Sequence, residues 1–296
     1  MIEAAGLTKR FGPQTAVDDL SFRCEPGTVT GFLGPNGAGK STTLRMICGL
    51  CSRTAGDATV LGEEYRRISN PAQHVGVMLD ASAQHPGRRG RETLRICADT
   101  IGADRSRIGE MLTLVGLDDA AAKRRVGKYS LGMRQRLGLA QVMIGRPSVL
   151  ILDEPANGLD PQGIIWMREL LRGFANEGGT VLLSSHLLNE VEAIADRLLL
   201  IDKGKLVASG SKSELLAATG TAVRSPDPAA LATALEAANI AFTTADDSLI
   251  ADAEPEAVGA AAHAGGVPLS ELRPADGGGL EGLFLSLTSS ETEAGG

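Results

Sequence analysis

Along residues 1–219, short uninterrupted apolar runs alternate with longer segments of helical periodicity. Apolar runs of strand length bounded by Gly, Pro or Asp read as buried strands. Val29-Thr-Gly-Phe-Leu33 is the clearest of these, and a Gly-rich turn and a helix from Lys40 to about Leu50 follow it. The same pattern predicts strands at Thr59–Leu61, Val75–Leu79, Val149–Asp153, Thr180–Ser184, Arg197–Ile201 and Lys205–Ala208. Helices are expected at Pro161–Asn176, with proline in its first turn, and at Ser211–Ala218. From about Gly90 to Gly145 the periodicity is helical with no convincing strand, so a helical insertion is expected over about residues 85–145. Strands alternating with helices predict an α/β fold with a largely parallel core sheet.

Beyond residue 220 the pattern changes. Short strands are predicted at Thr221–Arg224, Ala241–Thr244 and Ser248–Ala251, with helices near Pro228–Ala238 and Glu254–Ala264. A small α+β domain over 220–296 fits, ending in a frayed tail at Ser289–Gly296. Charge supports a boundary there. Residues 220–296 carry 12 acids against Arg224 and Arg273, whereas the whole chain is only −7. The first 219 residues are therefore close to neutral, and a length of 296 residues also predicts about two domains.

A hydrophobic fraction of 43% with 22% charged residues excludes a disordered, collagenous or coiled-coil chain. The most apolar runs, Ser148–Leu152 and Arg197–Ile201, are strand-sized, and no stretch approaches the roughly 18 apolar residues of a membrane span. Met1-Ile2-Glu3 lacks the start of a secretory signal. The expectation is a soluble cytoplasmic chain, or one held at a membrane only by a partner. No concentrated basic face is apparent, and six Phe, two Tyr and one Trp are too few for a base-stacking surface, so no nucleic-acid partner is expected. Cys48-Gly-Leu-Cys51 has a redox spacing, but it is expected inside a helix past its first turn, where nothing lowers a thiol pKa. A zinc site would need two more ligands. Cys24, Cys48, Cys51 and Cys97 are therefore read as structural thiols.

The chemistry concentrates in two places. Gly34-Pro35-Asn36-Gly37-Ala38-Gly39-Lys40-Ser41 fits the phosphate-loop pattern G-x-x-x-x-G-K-[ST]. Its glycines let successive N–H groups point at phosphate oxygens, Lys40 can reach the β- and γ-phosphates, and Ser41 can ligate Mg²⁺. The helix that follows presents its positive end. The run Val149–Leu152 then ends in Asp153-Glu154. An acid at the end of a buried strand beside such a loop can hold Mg²⁺, and a second acid can polarise the attacking water.

Between these lies Tyr129-Ser-Leu-Gly132-Met-Arg-Gln135-Arg, and after them Gly158-Leu-Asp160 and Ser184-Ser-His186. In this order the motifs resemble those of ATP-binding cassette (ABC) proteins over about residues 1–215. The resemblance implies a P-loop NTPase of the ABC ATPase type with a helical insertion subdomain. It implies ATP contacts from Gly34 through Ser41 and Thr42, a general base at Glu154, and a switch histidine at His186. Two copies would pair head to tail, with Ser130, Gly132 and Asp160 acting across the dimer. Phe11 stands where the family stacks an aromatic on adenine; a ring that simply covers the sheet edge is the other reading. The signature keeps Ser130 and Gly132 but has Tyr129, Leu131 and Met133 where Leu-Ser-Gly-Gly-Gln is usual. After Val75–Leu79 the usual Gln is replaced by Asp80, which retains an oxygen for Mg²⁺; Gln84 is the other candidate for that position. His74, His85 and His263 have no motif around them.

The stretch is similar to cassettes of bacterial drug-exporter systems. That implies an ATPase subunit on the inner face of the cell membrane, bound there by a separate multi-span permease that selects the cargo, and powered by ATP with Mg²⁺. The alternative is a soluble non-transport cassette with an assembly or regulatory role.

Overall fold

A computed structural model describes residues 1–187, 191–215, 220–245 and 248–275. The chain divides into two compact units, residues 1–212 and 213–296.

In the first unit, strands β1 (Ile2–Phe11), β2 (Gln14–Cys24), β3 (Val29–Leu33), β4 (Ala55–Val60), β5 (Val75–Met78), β6 (Val149–Asp153), β7 (Thr180–Ser185), β8 (Arg197–Asp202) and β9 (Lys205–Ser211) form two sheets. The larger has the order β5-β6-β7-β3-β8-β9, parallel from β5 to β8. Residues of β3 and β7 are buried throughout, and those of β6 are buried up to Asp153. Strands covered on both faces need continuous apolar runs, which is why these three were readable. β9 is antiparallel to β8. Lys203 and Gly204 between them both have positive φ, the geometry of a tight two-residue hairpin turn.

The smaller sheet, β2-β1-β4, is antiparallel throughout. Strands β1 and β2 were not expected, and the predicted core strand at Thr59–Leu61 belongs instead to β4 of this second sheet. Register shifts between Ala4 and Leu7, and again before Lys9, break the alternation of β1. Ile2, Leu7 and Leu20 of this sheet pack with Phe32, Leu44 and Ile47 into one core around the helix Lys40–Ile47.

That helix stops at Ile47 rather than near Leu50. Gly49 turns with φ +67°, and the N–H groups of Leu50 and Cys51 both donate to the Arg45 carbonyl. Cys48 is therefore the C-cap, and Cys51 lies beyond the helix, not inside it. Burial pushes the Cys24 and Cys48 thiols up to about 12.

Residues 90–143 form the helices Gly90–Ile101, Arg107–Leu114, Asp119–Lys123 and Leu131–Met143. Helix Pro161–Asn176 has the predicted bounds. Of the predicted helix Ser211–Ala218, Lys212–Leu215 is helical, and residues 216–218 lie outside the described residues, as does the predicted tail Ser289–Gly296.

The second unit is a four-stranded antiparallel sheet of β10 (Thr221–Arg224), β11 (Phe242–Ala245), β12 (Ser248–Ala251) and β13 (Glu271–Pro274) in the order β11-β12-β10-β13. Helices Pro228–Ala237 and Pro255–Ala264 complete it around Val223, Leu231, Leu235, Leu249 and Val258. Among the described residues no helix is long and apolar enough to cross a membrane.

Candidate nucleotide site

Strands β6, β7 and β3 are neighbours, so their C-terminal ends deliver three loops to one edge of the sheet. A crevice at that edge is where open α/β sheets bind ligands.

The loop Gly34–Gly39 leaves β3 and enters the helix Lys40–Ile47. A side chain at Gly34 would collide with the Ile201 carbonyl oxygen, and one at Gly39, whose φ is +105°, would come within 2.5 Å of the Ala16 carbonyl oxygen. Only glycine lets the loop lie this close to its neighbours. Pro35, Asn36 and Gly37 are exposed at the tip, Ala38 is buried behind them, and Ser41 and Thr42 are half-buried in the first helical turn. No acidic side chain occupies that turn and no side chain caps it. Its orphan N–H groups and the positive end of the helix therefore face the loop's concavity.

Lys40 is only 6% exposed. Its ammonium donates to the carbonyls of Gly34 (2.7 Å) and Pro35 (3.1 Å). Burial lowers its pKa, and the negative charges of Glu154 and Asp153 oppose that shift.

Glu154 follows β6 with φ +49°, an uncommon conformation for a non-glycine residue, costing about 1–3 kcal/mol. The surroundings hold it there. Its N–H donates to the carbonyl (3.2 Å) and hydroxyl (3.1 Å) of Ser184 on β7, and its carbonyl accepts from Gln135 Nε2 (3.4 Å). The carboxylate lies 4.0 Å from Lys40 Nζ and 2.8 Å from His186 Nδ1. The Ser184 hydroxyl donates to Asp153. Lys40, Asp153, Glu154 and His186 are thus brought together from three strand ends.

Ser184 and Gln135 were not identified as site residues from the sequence. Both are buried polar side chains, fully so at Ser184, and each holds Glu154 through its main chain. The readable signal was hydroxyls at the end of an otherwise apolar strand, and an amide in the helix that follows Ser130.

Ser130 and Asp160 take no part in the Lys40–Glu154–His186 contacts. Each caps a helix: the Ser130 hydroxyl accepts from Met133 N–H (3.2 Å) and the Asp160 carboxylate from Gly163 N–H (2.8 Å). Gly132 packs against the loop that carries Asp160, where a Cβ would stand 3.1 Å from the Gly158 carbonyl oxygen. These three residues make a second surface. Phe11 is 52% exposed at the end of β1, with Lys9 Nζ 4.7 Å from its ring centroid, so the ring does not bury a sheet edge. Asp80 is exposed just beyond β5, the strand beside β6. Gln84, the other candidate for that position, instead donates its amide to the Arg134 carbonyl (3.0 Å).

Among the described residues no group of three or more His, Cys, Asp or Glu could hold a metal unaided. One hydroxyl (Ser41) and one carboxylate (Asp153) fit Mg²⁺ as it is bound beside nucleotides, where phosphate oxygens and water complete the octahedron.

Residues 17–157 match the family model described as ABC transporter, and residues 219–280 match one described as a domain of unknown function (DUF8746). The chain is 43% identical over 210 residues, 70% of its length and 68% of the relative's, to the uncharacterized ABC transporter ATP-binding protein YhcH of Bacillus subtilis (strain 168). It is 41% identical, with the same coverages, to the bacitracin transport ATP-binding protein BcrA of Bacillus licheniformis. Similarity extends over 99% of this chain and 98% of the Nod factor export ATP-binding protein I of Paraburkholderia xenovorans (strain LB400), at 36% identity. In fold it is similar to a solved ATP-binding cassette dimer in a post-hydrolysis state with ADP and Pi, with a TM-score of 0.66, 21% identity, and coverage of 71% of this chain and 98% of that one. The chain belongs to the ABC transporter ATP-binding proteins and is an ATPase of that family.

Proposed function

We propose that this chain is the ATP-hydrolysing subunit of an exporter whose pathway is a separate membrane permease, and that it works as a head-to-tail dimer on the inner face of the cell membrane. The observation that supports it best is the contact chain Lys40–Glu154–His186 at adjacent strand ends, with Glu154 fixed by Ser184. Relatives named for bacitracin transport and Nod factor export favour export over a soluble assembly role.

In this reading Gly34–Thr42 cradle the ATP phosphates, Phe11 stacks on the adenine, and Lys40 exchanges its loop carbonyls for phosphate oxygens. Bound Mg²⁺ would be held by Ser41 and Asp153, with Asp80 as a further oxygen donor, and would supply charge neutralisation on the β- and γ-phosphates. Glu154 takes a proton from water as the water oxygen attacks the γ-phosphorus. The bond to the β,γ-bridging oxygen breaks, giving ADP and phosphate. His186 holds the Glu154 carboxylate in position. Ser130 and Gly132 of one subunit face the γ-phosphate held by the other, and Asp160 bridges to the partner subunit, so closure completes both sites.

Glu154→Gln keeps the shape and removes the base. ATP binding should persist, turnover should fall by about two orders of magnitude or more, and ATP-bound dimers should accumulate on size-exclusion chromatography. Hydrolysis near the native rate would overturn the base assignment. We further propose that residues 1–219 form the ATPase domain and 220–296 a separate acidic domain. A chain ending at Thr219 should then bind ATP with unchanged affinity, and loss of binding would move the boundary.

A further inference from the structure

The helical segment carries two grooves that differ in charge. One, of about 290 Å³, is apolar, lined by Tyr65, Val75, Ile96, Ile101 and Val142 among others. The other, of about 520 Å³, is lined by five basic side chains, Arg89, Arg91, Arg95, Arg105 and Lys123, and one acid, Glu92, with the buried Ile108 and Ala122 beneath them.

The charge around the second groove is built by backbone pairing. Arg88-Arg89 and Arg124-Arg125 are distant in sequence, yet Arg89 and Arg125 form an antiparallel bridge. Val126 N–H donates to the Arg88 carbonyl (2.8 Å) and Gly90 N–H to the Arg124 carbonyl (3.3 Å). Four exposed guanidinium side chains are thereby gathered on two adjoining segments. Of the groove's own cations, Arg91 and Lys123 pair with Asp119 and Arg105 pairs with Asp99, while Glu92 accepts from the Arg89 main-chain N–H at 3.4 Å. Among the described residues, none of Arg88, Arg89, Arg124 and Arg125 is ion-paired. The pair Arg88-Arg89 also sits at the positive end of helix Gly90–Ile101, where basic residues oppose the helix dipole.

We propose that this arginine groove binds the phosphate headgroups of anionic phospholipids. The walls offer guanidinium forks, which match phosphate oxygens two at a time. The groove exposes no apolar anchor of the kind that dominates protein docking, whereas the neighbouring groove does. Lipid binding would hold the subunit against the bilayer and keep the apolar groove beside its permease. The proposal rests on the membrane-side reading above, but its test requires neither ATP turnover nor the permease.

The full-length chain is sedimented with vesicles of phosphatidylcholine alone or mixed with phosphatidylglycerol, at low and high salt. Binding should require phosphatidylglycerol and should weaken as salt shortens the Debye length. Each charge removed should lower the partition coefficient about fivefold, so Arg89→Gln with Arg95→Gln, the two groove arginines outside any ion pair among the described residues, should cost roughly 25-fold. The same positions changed to Lys should retain most of the binding, and Arg23→Gln, far away on β2, should change nothing. ATP binding by each variant reports that it is folded. Equal binding to both vesicle types, or undiminished binding by the double Gln variant, would overturn the proposal. Capture of a soluble glutamate homopeptide, lost in the double variant, without vesicle binding would also overturn it and assign the groove to an acidic protein segment.

Discussion

Ser184→Ala isolates the support of the catalytic edge from the edge itself. The Ser184 side chain is fully buried on β7, donates to the Asp153 carboxylate and accepts from Glu154 N–H at 3.1 Å. A hydrogen bond to a charged group is worth about 1.5–3 kcal/mol. Asp153 is half-buried, so water can take over part of the loss, and Glu154 N–H keeps the Ser184 carbonyl at 3.2 Å. The lower half of the range is then expected, about 1.5–2 kcal/mol. At a urea slope of about 2.5 kcal/mol/M this is a fall of roughly 0.7 M in the unfolding midpoint. The functional cost should fall on the proposed Mg²⁺ ligand: apparent Mg²⁺ affinity in a steady-state ATPase titration should weaken about tenfold, the equivalent of roughly 1.4 kcal/mol. ATP binding in EDTA should be unchanged. A variant with the native urea midpoint and native Mg²⁺ dependence would refute the role given to this hydroxyl.

Lys40→Ala should weaken nucleotide binding itself, by about 30-fold or more for the loss of a buried charged donor, measured by fluorescent-nucleotide titration; unchanged affinity would contradict the loop's role. The buried thiols predict an alkaline response. Cys24 and Cys48 hold their protons up to about 12 in the folded chain, whereas an unfolded thiol titrates near 8.5. Their stabilising contribution is complete below that lower value and is lost as pH rises through 9 toward 12. Unfolding free energy should therefore fall across that window, and a flat profile would contradict the burial effect. At pH 8 a thiol reagent should label Cys51 and Cys97 first.

How much was legible depended on whether the signal was local. β3, β6 and the helix Pro161–Asn176 were readable because burial on both faces, or a proline start, writes itself into consecutive residues. β1 and β2 escaped because the ladder between them is irregular, with positive φ at Gly6 and Asp19. Asp153, Glu154 and His186 stand at or just beyond a strand end and Lys40 opens the helix after the Gly34–Gly39 loop, so motif spacing and element boundaries coincided. Ser184 stands in a motif and near a strand end too, but its role was not readable: whether that hydroxyl faces a carboxylate depends on register, here Asp153 opposite Ser184. The arginine groove was hidden for a similar reason. Averaged over residues 1–219 its charge nearly cancels, and only backbone pairing sets Arg88-Arg89 beside Arg124-Arg125.

Gln135 gives the molecule an internal lever. Its amide, on the helix Leu131–Met143, donates to the carbonyls of Glu154 (3.4 Å) and Asn157 (3.1 Å), which bracket the turn after β6. That helix begins at Ser130, and its Arg134 carbonyl accepts from Gln84 in the segment after Asp80. A displacement of the helical segment relative to the sheet is therefore transmitted, through the two Gln135 bonds, to the backbone of the proposed base, Glu154.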